Sequence, residues 1–229
     1  MTGLMRRLVV LAVLCPCVLL AAPQQPLNQL PGAASAQLAR SLAAASSHKS
    51  HVWRDVPPTN TDGTINGYIE ISRGDRNKFE FDMSRNERIV DRVIPETTGG
   101  YPVNYGFVPQ TVSYDGDPFD ILVLGPPLAG GELVRGVALG LMEMEDEKGL
   151  DSKVVVSPVD REGRTRYELT PAVRDEIAGY FRRYKQDEPG KFSKVPGWAT
   201  AAVGREYVAT THAFFQKCRT SPGPCRLPD

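Results

Sequence analysis

Three carboxylates fall within six residues at Asp115-Gly116-Asp117-Pro118-Phe119-Asp120, and the segment leads straight into an apolar stretch ending at Leu124. Like charges this close repel, and burying them costs free energy unless cations compensate. Gly116 relieves the turn and Pro118 stiffens it, so the carboxylates are held in place. An oxygen-rich cluster suits a hard divalent ion, Mg²⁺ or Mn²⁺, and not zinc. A calcium loop does not fit, because Pro118 and Phe119 stand where oxygen ligands belong and no Glu closes the loop. Taken alone, the motif also describes an ordinary polar turn with solvated aspartates.

Other groups that can do chemistry flank it. Asp146 and Asp151 lie downstream with Lys153 two residues further on, a pattern that by itself reads equally as a solvated acidic hairpin. Upstream, Lys78 and Glu80 share one face of a strand candidate and Glu70 sits on the preceding one, an alternation common on exposed strands. Arg92 follows, then Tyr101 and Tyr105 in Tyr101-Pro-Val-Asn-Tyr105-Gly106, and Tyr184-Lys185 closes a helix candidate. His48, His51 and His212 fall outside these motifs, and Ser113 and Ser157 lack a paired base there. Neither a histidine nor a serine nucleophile is indicated.

The elements that must position these groups are mostly short strands. Tyr68–Ile71 and Lys78–Phe81 alternate polar with apolar residues, the period of half-buried strands. Phe119–Leu124 reads as a buried strand stopped by Gly125-Pro126-Pro127, and Leu133–Met144 and Lys153–Val156 supply more. Thr170 and Pro171 open a helix whose apolar positions Val173, Ile177, Tyr180, Phe181 and Tyr184 follow helical spacing. A second helix is expected over Trp198–Phe215. Many strands followed by helices predict a mainly β, α+β domain, a small barrel or sandwich with two or three helices packed outside.

As a set, these residues resemble the soluble, Mg²⁺-dependent family I inorganic pyrophosphatases. Glu70, Lys78-Phe-Glu80, Asp91-Arg92, Tyr101-Pro-x-Asn-Tyr105-Gly, Asp115 to Asp120, Asp146-x₄-Asp151-x-Lys153 and Tyr184-Lys185 occur in the family's order and at nearly its spacing, over about residues 65–200. The resemblance implies a closed barrel similar to an oligonucleotide-binding fold, with pyrophosphate as substrate. It also implies that Asp115, Asp120 and Asp151 hold a first Mg²⁺ (Mn²⁺ as a substitute), with Asp120 bridging to a second. Asp146, Asp151 and Glu80 would carry further ions, and Asp117 would accept the proton of the attacking water. Lys78, Arg92, Tyr105, Lys153, Tyr184 and Lys185 would contact phosphate oxygens, and Glu70 and Tyr101 would organise the site. A homodimer or homohexamer is implied as well.

Composition sets outer limits. The 229 residues carry 27 basic and 27 acidic side chains, so no global field favours nucleic acid, and acidic groups dominate the motif region. Arg6 and Arg7 precede an apolar run from Leu8 to Ala22, interrupted by Pro16 and too short to span a membrane. Residues 1–22 therefore read as an export segment that leaves no stable membrane insertion after processing. An organelle transit peptide competes, since residues 1–50 lack Asp and Glu. Residues 23–52 read as a disordered linker, 53–216 as the enzyme domain and 217–229 as a tail. Cys218 and Cys225 flank Pro222-Gly223-Pro224, which suits a disulfide in an oxidising compartment and equally two separate thiols in a frayed end.

Overall fold

Alternation along β6 (Leu133–Asp146) is nearly regular, with exposed residues separated by buried ones, and this long strand organises the sheet. The computed structural model describes residues 32–220. Strand β1 (Ile65–Ile71) pairs antiparallel with β4 (Asn104–Phe107), and β4 pairs antiparallel with β5 (Asp120–Val123). β5 runs parallel to β8 (Lys153–Pro158), β8 is antiparallel to β6, and β6 pairs back with β1. The five strands therefore close into a hydrogen-bonded ring, the barrel-like arrangement expected from the sequence. β7 (Gly149–Leu150) and β9 (Ser193–Thr200) add to β6. β2 (Asn77–Asp82) and β3 (Glu87–Val93) form a separate two-stranded hairpin.

Successive residues of the ring strands feed two apolar clusters. Ile121, Val123, Val154 and Val156 join one with Val208 of α4 (Ala201–Thr220). Leu122 and Val155 join the other with Ile177 and Phe181 of α3 (Pro171–Phe181). Each fully buried aliphatic side chain contributes about 1.5–3 kcal/mol, so these strands are clamped from both faces. Gly106 is required where β4 crosses the bulge in β1, because a Cβ there would sit 1.8 Å from the Tyr68 carbonyl oxygen. Thr170 caps α3 by accepting a hydrogen bond from the Val173 amide, and Pro171 begins the helix, as the sequence predicted.

Two expectations are corrected. The segment read as a disordered linker over 23–52 is helical from Gly32: α1 (Gly32–Ser46) and the short α2 (Val52–Asp55) lie within it or at its end. Alanine-rich sequence favours helix, and tertiary burial secures it. Leu38 and Ala45 pack into a cluster with Trp53, Phe107 and Phe215. The second helix begins at Ala201 instead of Trp198, because Trp198 belongs to β9 and pairs with Met142. It also runs on to Thr220, so the ordered domain extends past Gln216 and includes part of the supposed tail. Cys218, buried on this helix, is disulfide-bonded. Cys225 and residues 1–22, read from sequence as an export segment, lie outside the described residues. No helix among the described residues is long and apolar enough to cross a membrane.

Candidate active site

The parallel register of β5 and β8 pairs Ile121 with Val154, which sets the preceding residues, Asp120 and Lys153, side by side. The Lys153 ammonium donates to the Asp120 carboxylate and, at 2.8 Å, to Asp151 Oδ1. Just ahead of β5, the aspartate turn is held by its own backbone: Ser113 N donates to Asp117 O at 2.6 Å and Gly116 N to Ser113 O at 3.0 Å. Gly116 adopts φ +91°, a left-handed conformation that glycine accepts readily. The Asp117 amide donates to Asp115 Oδ1 at 3.1 Å, which ties the two carboxylates into one turn.

The other elements converge on the same place. β6 ends at Asp146, whose Oδ2 lies 2.6 Å from Lys185 Nζ, and Lys185 also meets Glu147 at 2.9 Å. Tyr184 and Lys185, expected from sequence to close α3, instead lie in the turn three and four residues beyond its end at Phe181. On the hairpin, Lys78 and Arg92 are register partners; Lys78 pairs with Glu80 and, at 3.2 Å, with Asp91. Arg92 Nη1 donates to Glu188 Oε2 at 3.2 Å. Together with Glu70 of β1, Tyr105 of β4 and Tyr101, these residues line one cavity of about 730 Å³.

All the site residues expected from sequence line this cavity except Lys153. Lys153 is only 1% exposed and lies beneath Asp120 and Asp151, its charge spent on those two carboxylates. Besides Glu147, four further contributors were not foreseen. Lys148 sits 3.5 Å from Asp115 and 3.7 Å from Asp117, Glu188 holds Arg92, and Gln37 and Arg40 reach the cavity from α1. Lys148 had a faint signal, a lysine in the turn directly after Asp146. Glu188 had none, and α1 was hidden by reading its segment as a linker.

Charge in the cavity is finely opposed. Burial, then repulsion from Asp115, pushes the Asp117 carboxyl up to about 8. Burial raises Asp151 to about 7, with Lys153 pulling it back and Asp120 adding to the rise. Glu70 is held well above the usual carboxylate range by burial, then by Asp120 and Glu80. Burial also works against the charge on Lys153, but Asp120 and Asp151 outweigh it and raise its pKa. Tyr101, Tyr105 and Tyr184 are raised by burial, so their phenols stay protonated at neutral pH and keep a proton to donate.

These values test the site for a cation. Among the described residues no three acidic groups stand together at ligand spacing; ammonium groups of Lys153 and Lys148 lie between the carboxylates instead. Yet the donors are oxygens, only Glu80 among them is exposed, and burial, followed by neighbouring carboxylates, opposes ionisation of Glu70, Asp117 and Asp151. That combination fits a hard divalent cation, whose arrival favours the ionised carboxylates and draws them inward.

Comparison with known proteins agrees with this chemistry. Residues 67–216 match the family model described as inorganic pyrophosphatase. An inorganic pyrophosphatase of Ralstonia nicotianae is 40% identical over 172 residues, covering 72% of this chain and 95% of that protein. One from Aquifex pyrophilus is 38% identical over 154 residues, covering 64% and 86%. The solved structure of an inorganic pyrophosphatase from Coxiella burnetii, 39% identical, superposes with a TM-score of 0.64 over 70% of this chain and 99% of that one.

Proposed function

This chain belongs to the inorganic pyrophosphatase family and hydrolyses pyrophosphate to two phosphates, and we propose that the cavity described above is where it does so. Asp115, Asp120 and Asp151 would hold Mg²⁺ or Mn²⁺, with Asp146 and Glu80 taking further ions. Bound there, such ions would supply acidification of a water and neutralisation of phosphate charge. Asp117 takes the proton of that water as general base. Lys78, Arg92 and Lys185 bind the polyanion and stabilise charge that grows on the leaving phosphate. The protonated phenols of Tyr105 and Tyr184 donate to its oxygens, while Glu70 and Tyr101 brace the wall behind them. Lys153 acts differently from the family expectation: its buried ammonium bridges Asp120 and Asp151 and fixes their positions.

One observation carries this reading: acidic groups from β1, β5, β6 and the aspartate turn line a single cavity together with Lys78, Arg92, Lys185 and the phenols of Tyr105 and Tyr184. Acids alone would repel a polyanion, and bases alone would leave cations unbound. The test is phosphate release by the full chain from pyrophosphate, ATP and a simple monoester, with Mg²⁺ titrated from zero. Release that needs divalent cation and favours pyrophosphate is expected; cation-independent release sinks the assignment. Asp117→Asn is expected to lower turnover about 10²-fold or more, the scale of a lost general base. Near-normal turnover at neutral pH would remove Asp117 from that role.

The basic and apolar start of the chain, with a disulfide at Cys218, supports export as part of the same proposal. Mass measurement of the mature chain from separated cell compartments tests it, and a chain retained inside an organelle would favour the transit-peptide reading. The homodimer or homohexamer implied by the family resemblance is tested by sedimentation of the purified protein.

A further inference from the structure

Helix α1 lies ahead of residues 67–216, the part of the chain that matches the family model, yet it forms one wall of the catalytic cavity. It is anchored along its length. Leu38 and Ala45 are buried against the core, and Arg54 donates to the carbonyls of Ala45 at 2.6 Å and His48 at 3.0 Å, near the helix C-terminus. His48 in turn meets the Ser84 carbonyl at 2.8 Å, at the tip of the β2–β3 hairpin. At the other end the fit is closer still. A Cβ on Gly116 would sit 2.6 Å from the Ala34 carbonyl oxygen, so α1 touches the aspartate turn at the residue between Asp115 and Asp117. From that position the Gln37 side-chain amide donates to Asp117 Oδ1.

We infer that Gln37 is a positioning residue for the catalytic base: the helix ahead of the matched region clamps one oxygen of Asp117 so that the other faces the attacking water. The inference rests on the general-base role proposed above. A carboxylate at the end of a two-torsion side chain can present either oxygen in many orientations, and a bond to one oxygen removes that freedom before reaction. Lys148, 3.7 Å from Oδ2, steers by charge and does not fix direction, whereas the amide bond is directional. Gln37 touches neither pyrophosphate nor a cation in this scheme; it acts through Asp117.

The experiment is a double-mutant cycle in the full chain, with kcat and KM measured for pyrophosphate in Gln37→Ala, Asp117→Asn and the combined variant. Alanine keeps the helix, and Leu38 and Ala45 keep it docked, so an unchanged melting temperature is expected. Gln37→Ala is expected to lower kcat about tenfold, the scale of one hydrogen bond to a charged group, with KM within about twofold. Gln37→Glu, similar in size but without the donor, is expected to fall at least as far. In the Asp117→Asn background, Gln37→Ala should cost nothing further. An unchanged kcat in Gln37→Ala beside a crippled Asp117→Asn overturns this inference alone. So does an equal loss in both backgrounds, because the effect then bypasses Asp117. A rise in kcat also overturns it and makes α1 an inhibitory strap. Near-normal turnover in Asp117→Asn overturns this inference and the base assignment together.

Discussion

The two sides of the cavity are built to different standards. The floor, with Asp120, Lys153 and Asp146, rests on strands bonded along both edges and backed by side chains such as Ile121, Val154 and Val155, all fully buried. The facing hairpin pairs only with itself, and its Val90 and Val93 are 54% and 57% exposed. It is tethered by Phe79 and Phe81, which pack against the core, and by polar contacts: Arg88 to the Glu70 carbonyl, Arg92 to Glu188, and His48 to Ser84. Regions with few buried contacts open at lower free-energy cost. The strand-borne acids and Lys185 are therefore set before substrate arrives, while Lys78, Glu80 and Arg92 on the hairpin can adjust to it.

The same kind of residue on each side gives the sharpest way to break this contrast. Lys153→Ala leaves Asp120 and Asp151 without their buried partner, and an unfolding free energy lower by about 3 kcal/mol is expected from urea titration. Lys78→Ala, on the hairpin and paired with half-exposed Glu80, is expected to cost under about 1 kcal/mol. Equal losses would mean the two walls are equally rigid. Next in size, Arg92→Ala should raise KM about tenfold while leaving stability within about 0.5 kcal/mol, since its work is gripping substrate. A stability loss matching the Lys153 variant would contradict an adjustable hairpin.

A further effect concerns the floor without cations. Asp117 and Asp151 have folded pKa values near 8 and 7 against 3.8 for an ordinary aspartate, so the unfolded chain releases these protons first as pH rises. Stability is thus greatest below about pH 4 for these groups and is lost as pH climbs toward 7 to 8. In chelator, the melting temperature should fall by about 2–4 °C or more between pH 5 and pH 8, and Mg²⁺ should recover it more at pH 8 than at pH 5. A melting temperature flat across that range would show the acids already balanced by the lysines.

Legibility followed the same divide. The floor was readable because its chemistry is concentrated in short sequence: Asp115 to Asp120 and Asp146 to Lys153 carry both charge and strand pattern. Period-two alternation identified β1 and β2, an unbroken apolar run identified β5, the stretches Leu133–Met144 and Lys153–Val156 anticipated β6 and β8, and Thr170-Pro171 marked the start of α3. What failed was long-range. Nothing local in Glu188 says that it will meet Arg92, 96 residues earlier in sequence. The alanine, serine and glutamine of α1 look like linker composition until a core groove is present for Leu38 and Ala45. Trp198 looked helical because the residues after it are, yet its pairing with Met142 is decided by β6.

Ring closure also governs when activity can first exist. β1 must wait for β6, whose Gly136 pairs with Ile65 only after some seventy intervening residues have been made. β5 must wait for β8 across the acidic hairpin, and Lys185 comes later still. Pairings this distant in sequence slow folding to roughly milliseconds or seconds. A growing chain therefore holds scattered aspartates and lysines and no partial catalyst, and the site is born whole once the last strand and helix are in place.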